Sequence, residues 1–168
     1  YNIVFRAQGG TSMCDWSNVS AHDRRAFKPT RVVLAFTGNV DGCDRTDYNA
    51  SGITGVVANY DRSLREIARS YKGIPVTVIA SPAMDNSIVP SWYPENGNPA
   101  LNAMYKTDSA ELGLRYSTVA DDTLTPGHVY IADRPAYGTK APLIPVRAPD
   151  GVHLLSEGTI YYAEALVS

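Results

Sequence analysis

The sequence lacks long apolar runs and has little charge of either sign. Its apolar runs, such as Val32 to Phe36 and Pro75 to Ala80, are five or six residues long, whereas a membrane-spanning helix needs about 20 apolar residues. Charged residues make up 19% of the chain, with 15 Lys and Arg against 17 Asp and Glu, so the formal net charge is −2. We therefore expect no transmembrane segment, and no nucleic acid or anionic membrane as an electrostatic partner.

The composition is that of a globular chain. Hydrophobic residues make up 44% of its 168 residues, which excludes a disordered tail, because disorder requires low hydrophobicity and high net charge. At roughly 150 residues per domain, residues 1–168 are predicted to form a single domain.

The sequence has two cysteines, Cys14 and Cys43, each in a polar segment that is typical of a loop. A metal pair is disfavoured, because no other Cys or His lies nearby at ligand spacing. Two reduced thiols and a disulfide both remain open, and the low Lys content with many Tyr, Asn, Ser and Thr favours the disulfide. A disulfide would imply an oxidising compartment.

Strand and helix patterns alternate along the chain. Strands are predicted at Asn2–Ala7, Arg31–Phe36, Ile74–Ala80 and Tyr116–Ala120, and helices at Tyr60–Lys72, from Pro99 onward and at Ser156–Val167. This alternation predicts an α/β fold, a three-layer α/β/α sandwich of flavodoxin-like type with a parallel sheet. Ligands of such folds bind beyond the carboxyl ends of the strands, where Gly10 and Asn39 follow the first two predicted strands.

A carboxylate and an imidazole lie directly ahead of the last predicted helix. Asp150 precedes His153 by three residues, so its carboxylate can reach a ring nitrogen across a turn, fix the tautomer and stabilise the imidazolium. Because D-x-x-H pairs are common by chance, a turn aspartate beside a polar histidine explains the motif equally well.

The order of these blocks resembles the SGNH (GDSL-like) hydrolase family, and most closely its secreted actinobacterial members. The most specific segments are V-V-L-A-F-T-G-N, which ends at Asn39, and V-R-A-P-D-G-V-H-L, which contains Asp150 and His153. The resemblance implies a serine esterase, acyl hydrolase or acyltransferase that works through an acyl-enzyme, with no metal or cofactor. Its substrate would be a small-molecule ester, a lipid or an acylated carbohydrate, and its location secreted or cell-envelope.

The resemblance also assigns roles to individual residues. His153 would be the general base and Asp150 its orienting partner, while the Gly10 backbone N–H and the Asn39 side-chain amide would donate to the oxyanion. Such preorganised donors contribute roughly 3–4 kcal/mol each in acyl transfer. A bridge between Cys14 and Cys43 would hold the two donor loops in register.

The sequence departs from the family pattern at its start. No G-D-S occurs anywhere, and the family's first strand, its serine-bearing turn and its first helix are not represented. Val40 also stands where many members have an aspartate. Three alternatives follow: the serine lies on an N-terminal segment that completes the sheet, the domain is degenerate and binds an acyl or carbohydrate ligand, or Ser12 serves as the nucleophile.

Several other polar residues have simpler interpretations. Asp41, Asp44 and Asp47 lack the glycine and bidentate glutamate of a calcium loop, so a solvated loop is expected. His22 and His128 are expected to face solvent. The sequence does not distinguish hydrolysis from acyl transfer, because fold does not select the chemistry.

Overall fold

The protein is described from a computed structural model that covers residues 2–40, 42–85, 87 and 97–167. The helices are α1 (Met13–Phe27), α2 (Arg45–Ser70), α3 (Gly97–Leu112), α4 (Val119–Leu124) and α5 (Ser156–Val167). The strands are β1 (Val32–Ala35), β2 (Val76–Ile79), β3 (Arg115–Ser117), β4 (Asp133–Arg134) and β5 (Ile144–Pro145), and short 3-10 helices span Gly42–Asp44 and Pro126–His128. The fold is therefore mixed α/β, as predicted.

The central sheet has three parallel strands in the order β1-β2-β3. Leu34 of β1 is opposite Val78 of β2, which in turn is opposite Tyr116 of β3. Long helices connect these strands, as parallel pairing requires. Within the described residues β1 pairs with β2 alone, so its other edge is open. Val33, on the face of the sheet opposite to buried Leu34, is 46% exposed. β4 and β5 form a separate antiparallel pair.

Helix α2 supplies the largest part of the core. Tyr60, Leu64 and Ile67 recur at helical spacing and are fully or almost fully buried, because one stripe of the helix faces the sheet. The main cluster joins them to residues of the sheet and of two other helices: Met13, Leu34, Val78, Leu101 and Tyr105. A smaller cluster under α4 and α5 contains Leu124, Val146 and Tyr161.

The prediction of a strand at Asn2–Ala7 is wrong. This segment has no strand, and Ile3, Val4 and Phe5 are 65%, 54% and 85% exposed. Arg6 anchors this segment, because its Nε donates to Asp23 Oδ2 at 3.0 Å. A strand forms only where a neighbour pairs with it, and no described strand lies beside this segment.

Other element boundaries also differ from prediction. Helix α2 begins at Arg45 rather than Tyr60, and Gly52 (φ +58) kinks it. The strand predicted at Tyr116–Ala120 ends at Ser117, and α4 starts two residues later. No described helix is both long and apolar enough to cross a membrane.

Candidate functional site

The turn from Asp150 to His153 is closed by three hydrogen bonds to one carboxylate. Oδ2 of Asp150 lies 2.8 Å from His153 Nδ1, and Oδ1 accepts the backbone N–H groups of Val152 and His153 at 2.9 Å each. The side-chain bond from His153 first, and then the two backbone bonds, lower the pKa of Asp150 to about 2. The contact predicted from the spacing is present, and it leaves His153 Nε2 available to accept a proton.

This turn is exposed to solvent and docks on the loop that follows β2. The side chains of His153 and Asp150 are 80% and 51% exposed. Asp85 donates its backbone N–H to the Gly151 carbonyl at 3.0 Å. A Cβ on Gly151 (φ +72) would lie 2.5 Å from Asp85 Cβ, so this close approach requires glycine.

The two candidate oxyanion donors lie on loops that are bonded to each other. Asn39 Nδ2 donates to the Thr11 carbonyl at 3.0 Å, and Thr11 directly follows Gly10, whose φ is +74. The Asn39 carbonyl in turn accepts the hydroxyl of fully buried Tyr60 at 3.0 Å. An amide carries two N–H groups, and the bond to Thr11 uses one of them and fixes the orientation of the Asn39 side chain.

A disulfide joins the two elements that follow these loops, because Cys14 lies in the first turn of α1 and Cys43 in the 3-10 helix Gly42–Asp44, rather than in loops as predicted. Cys14 and Cys43 are bonded, with their Cα atoms 6.3 Å apart. Each cysteine follows its candidate oxyanion donor, Gly10 or Asn39, by four residues. The structure therefore places the bridge where the resemblance implies it, across the bases of both donor loops.

Trp16 is hydrogen-bonded to the loop that contains Gly10 (Gln8–Thr11, the glycine loop), an interaction that sequence patterns did not reveal. Its indole N–H donates to Thr11 Oγ1 at 3.0 Å, and Thr11 Oγ1 donates to the Gln8 carbonyl at 2.7 Å. The sequence does not predict this contact, because nothing in the local pattern identifies the partner of an indole N–H.

The expectation of a solvated acidic loop is wrong for Asp44, which is fully buried. Burial, followed by repulsion from Asp15 and Asp47, raises the pKa of Asp44 to about 7. Asp41 lies outside the described residues. The error arises because the first helical turns of α1 and α2 cover Asp44, and that contact is not visible in a local pattern.

The Cys14, Cys43 and Asp44 side chains place their ligand-type atoms within 4.8 Å of one another. Both sulfurs are bonded in the disulfide, so neither offers the thiolate that a metal ion requires. The donor set of this cluster therefore does not suit a metal.

His128 does not face solvent as predicted but forms a second histidine–carboxylate pair. Its Nδ1 lies 2.8 Å from Asp121 Oδ2, and its side chain is 29% exposed. Thr125, which is fully buried, donates its hydroxyl to the same carboxylate and accepts the Ala83 N–H at 3.1 Å. Among the described residues, the hydroxyl bonded to this pair is that of Thr125, which is enclosed and donates to Asp121 rather than to the imidazole. His22 is 71% exposed, as expected.

A cleft of about 240 Å³ lies between the loop that leads to Asn39 and the histidine turn, and neither Gly10, Asn39 nor His153 is among its described lining residues. Thr37, two residues before Asn39, lines one side, while Val152 and Leu154, on either side of His153, line the other. The remaining lining residues are Ala35, Pro82, Met84, Arg147 and Tyr162. The cleft thus lies at the carboxyl ends of β1 and β2, where parallel sheets bind ligands.

Ser12 is not positioned as a nucleophile. It is fully buried at the N-terminus of α1, and its backbone N–H donates to Asp15 Oδ2 at 2.8 Å. Over the described part of the chain, no hydroxyl is hydrogen-bonded to His153.

Comparison with family models, with curated proteins and with solved structures finds no match to this chain. The resemblance to SGNH hydrolases therefore depends on the residues and on their geometry.

Proposed function

We propose that this chain carries the base and the oxyanion donors of an SGNH-type serine esterase, acyl hydrolase or acyltransferase. The observation that supports the proposal is the Asp150–His153 pair, hydrogen-bonded at 2.8 Å, in a turn whose Val152 lines the same cleft as Thr37 of the Asn39 loop. The resemblance in sequence order predicts that the histidine turn and the Asn39 loop lie near the same cleft.

The arrangement suits acyl transfer through a covalent intermediate. Asp150 holds Nδ1 of His153 protonated, so Nε2 accepts the serine proton as the serine oxygen attacks the acyl carbonyl. The Gly10 N–H and the second Asn39 N–H stabilise the oxyanion. His153 then returns the proton to the leaving alcohol, and water or a second alcohol releases the acyl group by the same steps.

The nucleophilic serine is proposed to come from a segment outside residues 1–168. The open edge of β1 supports this, because in the family the serine-bearing strand pairs there. The exposed Ile3, Val4 and Phe5 provide a second strand-forming segment without a described partner. A strand inserted between β1 and this N-terminal segment would pair with each of them and complete a three-layer α/β/α sandwich. The backbone groups at the open edge of β1 would then be hydrogen-bonded.

A secreted or cell-envelope location belongs to the same proposal. The Cys14–Cys43 disulfide supports it, because such bonds persist in oxidising compartments. The substrate class is a small-molecule ester, a lipid or an acylated carbohydrate, and the chemistry uses protein groups without a cofactor.

The second candidate is a binding domain that has lost catalysis. It is favoured by the 80% exposure of His153, since a working base is ordinarily enclosed with its nucleophile. Such a domain would bind an acyl or carbohydrate ligand in the cleft without forming a covalent bond to it.

A fluorophosphonate probe distinguishes the two candidates. The protein produced together with its native upstream sequence should label on a serine, and His153→Ala should abolish labelling. His22→Ala is the matched control, because His22 is also exposed and paired with an aspartate. Absence of labelling in the presence of the upstream sequence would refute the enzyme, and ligand binding without labelling would establish the binding domain.

A further inference from the structure

Arg147 connects the histidine turn to the sheet. Its side chain is buried, with the residue 6% exposed. One terminal nitrogen donates to the Val152 carbonyl at 2.8 Å, and the other donates to the Ala83 carbonyl at 2.9 Å. Val152 directly precedes His153, and Ala83 belongs to the loop after β2, so one guanidinium bonds the turn to the carboxyl end of a core strand.

The backbone around the turn provides a second set of contacts. Ala148 donates its N–H to the His153 carbonyl at 2.8 Å, and Asp85 donates to the Gly151 carbonyl at 3.0 Å. The first bond fixes the shape of the turn, and the second attaches the turn to the loop after β2. Because the side chains of Asp150 and His153 are exposed, the buried contact between the turn and that loop is made by the Arg147 side chain.

The chemistry of the contact requires an arginine. A guanidinium is planar and presents N–H groups in fixed, diverging directions, whereas a lysine ammonium is a single point. Among the described residues Arg147 has no carboxylate partner, and its Nε lacks a hydrogen-bond acceptor. Burial lowers the pKa of Arg147, so burying this cation is costly. The two carbonyl bonds and the Tyr130 ring, whose centroid lies 5.8 Å from the guanidinium carbon, offset that cost.

We propose that Arg147 is a positioning residue: it holds the Asp150–His153 turn against the loop after β2 and so sets where the imidazole lies relative to the cleft. Its importance for catalysis rests on the proposed function, but the positioning itself does not. Arg147 lines the cleft without touching reacting atoms, so it acts through His153.

The test uses the 168-residue chain and needs no substrate. Arg147→Lys keeps the charge and removes the two-pronged contact, so any change reports geometry rather than electrostatics. Arg134→Lys is the matched control, because Arg134 also donates to two backbone carbonyls, those of Thr123 and Leu124, away from the turn. NMR would follow the titration of the Asp150 carboxyl and the hydrogen exchange of the Asp85 amide.

In Arg147→Lys we expect the Asp85 amide to exchange at least about tenfold faster, because the turn opens more often once the guanidinium contacts are lost; this factor corresponds to about 1.4 kcal/mol. The pKa of Asp150 should rise from about 2 toward its ordinary 3.8, since its hydrogen bonds to the turn loosen. Arg134→Lys should change neither quantity. A folded Arg147→Lys protein with unchanged exchange and unchanged Asp150 titration would overturn the proposal.

If Arg147→Lys does not fold, Gly151→Ala provides a second test, because it perturbs the contact between the turn and the loop after β2 without changing Arg147. The new Cβ would lie 2.5 Å from Asp85 Cβ, so the turn must move off the loop with Arg147 intact. Faster exchange of the Arg147 guanidinium protons together with the Asp85 amide supports the proposal, because the guanidinium then leaves its carbonyls as the turn moves; guanidinium protons that stay protected while the turn moves refute it. These readouts stand apart from fluorophosphonate labelling, so failure of the enzyme proposal and failure of the positioning proposal are distinguishable.

Discussion

Removing the Cys14–Cys43 disulfide should destabilise the protein substantially. The bond spans 29 residues, and loop-closure entropy for a ring of that size corresponds to about 3.5 kcal/mol. The enclosed segment contains α1 and β1, both of which contribute to the main core. The denatured chain without the bond therefore gains freedom over about a sixth of its length, while the folded contacts remain in place.

The assay is urea unfolding followed by circular dichroism of the helices. For Cys14→Ser/Cys43→Ser, a slope of roughly 2 kcal/mol per molar urea converts the loss into a midpoint lower by about 1.5–2 M. Treating the wild-type protein with a phosphine reductant should give the same shift, which separates loss of the cross-link from the change of side chains.

The same variant tests the connection between the bridge and the donor loops. With the cross-link gone, the Asn39–Thr11 bond of 3.0 Å is the main remaining tie, so we expect faster exchange of the Asn39 side-chain amide. A midpoint shift below about 0.5 M would refute the entropic reasoning, and an unchanged exchange rate would refute the role of the bridge in holding the donors.

Two further predictions concern stability. Burial raises the pKa of Asp44 to about 7 from 3.8, so the folded state retains a proton that the unfolded chain releases, and stability should fall as pH rises between those values. Asp44→Asn should flatten that part of the urea-midpoint profile, and a parallel profile would contradict the assignment. In Gly158→Ala the new Cβ would lie 2.1 Å from the Val146 carbonyl oxygen, so α5 must shift. We expect a loss of about 1–3 kcal/mol in thermal unfolding, and an unchanged melting temperature would show that α5 does not pack as described.

Local chemistry explains which features could be predicted from the sequence. β1 and β2 lie inside the predicted strands Arg31–Phe36 and Ile74–Ala80, and α5 has the predicted bounds, because apolar runs and their periodicity determine these elements. The Asp150–His153 contact was predictable for the same reason, since both partners belong to one turn.

Features that depend on distant partners could not be predicted. Asn2–Ala7 has the composition of a strand but no described neighbour to pair with, and strand propensity does not supply one. Helix α1 was missed although Ser12 and Asp15 form a capping box at its start, because its apolar stripe is weak. The burial of Asp44 and the carbonyl partners of Arg147 arise from elements far apart in sequence.

The bond between Trp16 and Thr11 gives the glycine loop an optical reporter. The chain has two tryptophans, so Trp92→Phe leaves Trp16 as the sole indole, hydrogen-bonded one residue from Gly10. Indole emission responds to the loss or gain of such a bond, and the wavelength of that emission would register any ligand that moves the loop. Screening of candidate esters therefore needs neither a chromogenic leaving group nor a turnover signal.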